Sequence, residues 1–143
     1  CYEYSNEKGT IENFMEIKVG DGTDLTLRLL DAETNNCIRY VYIRKNDTYK
    51  LTNIPLGNYK IKYATGFGWF GKYENNICKG KFVMSPEYHL TEDILEFKLD
   101  TIDDGDSRYT EFSTYTYFFN VNSNNTDAKP FDTKSISEEE FND

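Results

Sequence analysis

The sequence predicts an all-β protein, an antiparallel β-sandwich of about seven or eight strands with a short C-terminal helical turn. Three observations carry that prediction. Between Glu12 and Val121, short runs rich in Tyr, Phe, Ile, Leu, Val and Thr alternate apolar and polar residues with the period of a strand. Clusters of Gly, Asn, Asp and Pro separate the runs, and no helical periodicity interrupts them. The 143 residues, 38% hydrophobic and 16% aromatic with three prolines, suffice for one core. One domain is therefore expected over residues 12–143, behind a polar tether at 1–11.

The elements follow in order. Asn13 to Val19 alternates and is expected as an edge strand. In Asp24 to Leu29 the three leucines share one face and Asp24, Thr26 and Arg28 the other, the pattern of a half-buried strand. Asp31 to Asn36 supplies turn residues and Cys37 to Ile43 the next strand, so the pair reads as a hairpin. Asn46-Asp47 turns the chain again before Tyr49 and Leu51. The break Ile54-Pro55-Leu56-Gly57-Asn58 precedes a run that buries Tyr59, Ile61 and Tyr63 and leaves Lys60 and Lys62 to solvent. Gly80 to Met84, Asp93 to Leu99 and Phe112 to Val121 complete the strands, and Asn122 to Lys129 reads as a polar loop. Ser137 is placed to cap a final helical turn, with Glu140 at the capping-box position. So short a helix needs Ile136 or Phe141 to dock on the sandwich.

Charge and composition exclude several function classes. The chain carries 16 basic and 25 acidic residues, a formal net charge of −9. Residues 1–99 hold 14 acids against 13 bases, whereas residues 100–143 hold 11 against 3. That balance opposes nucleic-acid phosphates and anionic lipid. No apolar stretch approaches the roughly 20 residues that cross a bilayer, and the mean hydropathy is −0.73. One histidine, His89, and three cysteines cannot build a multi-histidine or four-cysteine metal centre. Nothing in the spacing of the carboxylates selects a catalytic pair, and His89 has no cysteine-nucleophile setting. No catalytic residue is assigned and no enzyme activity is expected.

The segment Val41 to Leu51, then Ile54-Pro55-Leu56-Gly57-Asn58-Tyr59, resembles the transthyretin-like and carboxypeptidase-regulatory-like β-sandwich domains, which run strand, turn, strand, P-x-G-x-Y, strand. Its continuation, Tyr63-Ala64-Thr65-Gly66-Phe67-Gly68-Trp69-Phe70-Gly71, is similar to a "YASG, two residues, WYG" segment of bacterial domains that have no assigned activity. Here Thr65 replaces the serine and Phe70 the tyrosine. The resemblance spans roughly residues 24 to 141. It implies a transthyretin-like sandwich in a bacterial envelope or surface setting, and it lends no active-site residues. The expected role is a non-catalytic binding or structural module, with a protein or glycan at the cell surface as its partner. Readings as a calcium-dependent interaction module or a carbohydrate-active accessory domain stand beside it.

Several residues are candidates for chemistry or binding. Gly66 to Gly71 spells G-x-G-x-x-G, but no helix or βαβ unit follows, so dinucleotide binding is rejected. Phe67, Trp69, Phe70 and Tyr73 can instead pack across the end of the sandwich or form an exposed aromatic platform. Asp100, Asp103, Asp104, Asp106 and Glu111 surround Gly105; Asp103, Asp104 and Asp106 are the candidate calcium ligands, though their order is not that of an EF-hand. No other cofactor is implied. Cys37 and Cys78 can pair in an oxidising compartment or stay as two buried thiols. Cys1, followed by a polar tether, has the form of a processed lipoprotein terminus bearing acyl chains, or of a boundary that happens to fall at cysteine. Lipid attachment there would make the N-terminus the membrane contact.

Overall fold

The structure is a computed structural model that describes residues 3–5, 13–75, 77–103, 105–119 and 133–143. Its strands are β1 (Glu3–Ser5), β2 (Phe14–Val19), β3 (Asp24–Asp31), β4 (Cys37–Ile43), β5 (Thr48–Thr52), β6 (Gly57–Glu74), β7 (Ile77–Thr91), β8 (Leu95–Phe97), β9 (Leu99–Asp103), β10 (Arg108–Phe112), β11 (Thr114–Phe119) and β12 (Thr133–Ser135). One helix, α1 (Glu138–Asn142), follows. The larger sheet runs β1-β4-β3-β6-β7-β12 with β8 also on β6, and the smaller runs β11-β2-β5. β9 and β10 pair with each other as a separate ribbon.

The two sheets enclose one core. Met15 and Ile17 of β2, Leu51 of β5 and Phe119 of β11 meet Leu25, Leu27 and Leu29 of β3, Val41 and Ile43 of β4, and Ile61 of β6. Their alternation along each strand is what the sequence pattern demanded, and each such side chain contributes about 1.5–3 kcal/mol over its exposed state. Asn13 ties the start of β2 to the loop after β5. Its buried amide accepts from the Ile54 N–H at 2.7 Å and donates to the Ile54 carbonyl at 2.7 Å, completing the backbone where the β2–β5 ladder ends.

Four features differ from the sequence expectation. β2 is central in its sheet, between β5 and β11, and is not an edge. β11 pairs β2 in parallel, so the sandwich is not purely antiparallel. Glu3–Ser5, inside the expected tether, pairs antiparallel with β4. The run expected at 93–99 forms β8 and that expected at 112–121 forms β11, while two further strands, β9 and β10, occupy the acidic segment between them that was expected as a turn.

β3 also departs from the half-buried pattern, because both its faces are covered. Opposite the sandwich core lies a second cluster of Tyr40, Ala64, Cys78, Phe82 and Phe141, with Cys37, Tyr42, Trp69, Tyr88 and Ile136 packed against it. Arg28, which alternation assigned to solvent, is 5% exposed there. Its Nη1 donates to the Phe141 carbonyl, and its guanidinium lies 5.4 Å from the Tyr40 ring centroid and 5.8 Å from that of Phe141. The C-terminal segment closes this cluster as the sequence requires: Ser137 Oγ accepts from the Glu140 N–H at 3.0 Å, and Phe141 is fully buried. Lys62 Nζ donates to the Glu140 carbonyl at 2.5 Å, so two cations meet the C-terminal end of α1.

Candidate functional site

β3 pairs with β6 only as far as Gly66. Beyond it β6 and β7 continue as a two-stranded finger, from the Phe67–Met84 pair to the Glu74–Ile77 pair, turning at Asn75 with φ 53°. A register shift separates the finger from the sheet: Thr65 faces Glu87 but Phe67 faces Met84, which places an extra residue on β7 where Ser85 adopts φ 51°.

Alternation gives the finger two faces. Toward the body, Trp69 pairs with Phe82 across the strands and packs against it at 4.9 Å between ring centroids, 6.4 Å from Tyr40 and 6.3 Å from Phe141. Gly80 makes room for the indole, since a Cβ there would stand 2.2 Å from Trp69 Cζ2. Asn142 fixes the same spot from α1: its Oδ1 accepts from the Gly80 N–H at 2.8 Å, and its Nδ2 donates to the Gly80 carbonyl at 3.0 Å. This side-chain amide satisfies an exposed strand edge.

The outer face carries Phe70 opposite Lys81 and Lys72 opposite Lys79, with Glu74 beyond them. Phe70 and Tyr73 are each 62% exposed. Val83 is exposed too, and its Cγ2 would lie 2.6 Å from a Cβ at Gly68. Lys72 Nζ binds Glu74 at 3.2 Å, and the ammonium groups of Lys72 and Lys79 hold the Glu74 carboxyl below its ordinary range. Lys79 and Lys81 have no ion pair among the described residues. Between this face and α1 lies an open groove of about 400 Å³, lined by Phe70, Lys72, Glu74, Lys79, Lys81 and Glu138, among others.

The four aromatic residues singled out in the sequence therefore do not share one platform. Trp69 packs inward, Phe67 lies under Lys45 Nζ at 5.9 Å, and Phe70 faces the groove. Tyr73 is exposed beyond Trp69, opposite Cys78. The sequence reading missed Lys72, Lys79, Lys81 and Val83. Their signal was the alternation running on through Lys72 and resuming at Lys79, with Asn75-Asn76 as a two-residue turn.

The other candidates are placed as follows. Asp103 receives the Gly105 N–H at 3.0 Å and faces Arg108 at 3.3 Å, while Asp104 lies outside the described residues. Asp106 is exposed, and no group of three or more His, Cys, Asp or Glu among the described residues is placed to hold a metal ion. The Cys37–Cys78 bridge is not formed. Cys37 is a free thiol that donates to the Arg39 carbonyl at 3.1 Å, whereas Cys78 is disulfide-bonded. Burial pushes the Cys37 thiol above its ordinary pKa, against the pull of Arg28. Cys1, with its expected lipid, lies outside the described residues. His89 stacks on Tyr63 at 4.9 Å, with Glu87 4.0 Å away.

No helix among the described residues is long and apolar enough to cross a membrane. No protein-family model, curated protein or solved structure matches this chain.

Proposed function

We propose that this chain is a non-catalytic binding module, transthyretin-like in topology, that works outside the cytoplasm at a bacterial cell envelope and recognises its ligand with the outer face of the β6–β7 finger. One observation carries the reading: an exposed aromatic ring, Phe70, and two ammonium groups without ion pairs among the described residues, Lys79 and Lys81, line one groove on an element already braced by Trp69 and Asn142. A rigid support with exposed recognition groups is the arrangement binding requires. The disulfide at Cys78 supports an oxidising compartment.

Retention of the purified protein on the cell-envelope fraction of its source organism tests the recognition surface. Wild type is expected to be retained, and a Phe70→Ala/Lys81→Gln variant with an unchanged melting temperature to be lost from the fraction. Equal retention of the two proteins would overturn the assignment of this face.

A further inference from the structure

We infer that the ligand of the finger is a carboxylate-bearing glycan, a sugar chain that includes uronic acids; the inference rests on the reading of this face as the recognition surface. Lys72 and Lys79 are directly opposed across the strands, with Lys81 next on the same face of β7. Directly opposed like charges destabilise a sheet. Glu74 lines the same groove and offsets Lys72 by contact and Lys79 at longer range, but Lys79 and Lys81 have no ion pair among the described residues, so the lining sets three ammonium groups against the carboxylates of Glu74 and Glu138. In a chain of net charge −9, such a concentration of ammonium groups marks a place for an anion.

Glu138 stands at the α1 side of the groove, and a carboxylate there opposes a densely charged polyanion such as nucleic acid or polyphosphate while accepting hydrogen bonds from hydroxyl groups. Phe70 offers an apolar ring beside the lysines. A uronic-acid residue meets all three: its carboxylate pairs with Lys79 or Lys81, its hydroxyls donate to Glu138, and the C–H face of its ring lies on Phe70. Lysine point charges suit a carboxylate that presents itself at varied angles.

The test is calorimetric titration of the full chain with an oligogalacturonate and with the same oligomer methyl-esterified to remove its charge. Binding to the acidic oligomer is expected to fall about tenfold or more in a Lys79→Gln/Lys81→Gln variant and to weaken by about fivefold in Phe70→Ala, with Lys50→Gln on β5 unchanged. It is expected to weaken as salt rises from about 50 to about 500 mM. Equal binding of the esterified oligomer, or indifference to the lysine substitutions, overturns the inference. No binding of either oligomer, with envelope retention still dependent on Phe70 and Lys81, overturns the ligand class and leaves the surface assigned. Loss of dependence in both assays overturns both.

Discussion

Trp69 lies across Gly80, so close that a Cβ on Gly80 would stand 2.2 Å from Cζ2 of the indole and 2.6 Å from Cη2. The ring seats the finger on the second core, and the glycine is the opening through which it does so. Gly80→Ala is expected to destabilise the fold by about 1–3 kcal/mol, the range of overpacked sites. Urea unfolding measures the loss, and Trp69, the sole tryptophan, reports the displaced ring through its fluorescence. An unchanged midpoint and emission would contradict this seating.

Phe141 is fully buried among Tyr40, Trp69 and Tyr88. Phe141→Ala is expected to cost about 3–5 kcal/mol, as truncation of a buried aromatic does. It also leaves α1, a helix of five residues, with little to hold it. Limited proteolysis is expected to cut within 136–143 in the variant before the rest of the chain, and in the native protein only on global unfolding.

Asp31 accepts hydrogen bonds from the backbone N–H groups of Glu33 and Thr34 at 2.8 and 3.0 Å, and these hold its carboxyl below the ordinary range. A carboxyl whose folded pKa is depressed adds stability above its unfolded pKa, about 4, and loses that contribution as the pH falls through the folded value. The stability difference between wild type and Asp31→Ala is therefore expected to be full at pH 7 and to shrink below about pH 4. A difference independent of pH across that window would show that the Asp31 charge contributes nothing to the turn.

Cys37 and Cys78 are expected to behave differently toward an alkylating reagent. In the unreduced, unfolded chain Cys37 reacts and Cys78 does not; after reduction both react. In the native state Cys37 reacts slowly, because burial raises its pKa and leaves little thiolate. Peptide mapping by mass spectrometry reads both. Alkylation of Cys78 before reduction would contradict the bridge.

Much of this was legible in the chain, and the remainder has physical reasons. Leu25, Leu27 and Leu29 declared their shared face because one strand face meets the sandwich core. Ser137, Glu140 and Phe141 declared a cap and an anchor because capping is local. Arg28 was misplaced because alternation separates two faces but does not say what covers the second. The parallel β2–β11 pairing joins residues about a hundred positions apart, and no local signal encodes it. Gly66 to Gly71 offered only a G-x-G-x-x-G pattern without the helix that pattern needs, and nothing local said which strand would carry it. These glycines lie within one continuous strand: a Cβ at Gly66 would come within 2.6 Å of Phe82 Cβ, and Gly68 takes φ 70°. The spacing of Cys37 and Cys78 carried no distance, so their pairing could not be read.

The recognition surface proposed for this chain is the outer face of the finger together with Glu138 across the groove. Backbone amide shifts of the isotopically labelled chain, recorded as an oligogalacturonate is added, test it most directly. Shifts are expected to concentrate at residues 70–74 and 79–83 and in α1, whose Glu138 lines the same groove. Shifts confined to the β9–β10 ribbon or to the β5 edge, with the finger unmoved, would contradict it.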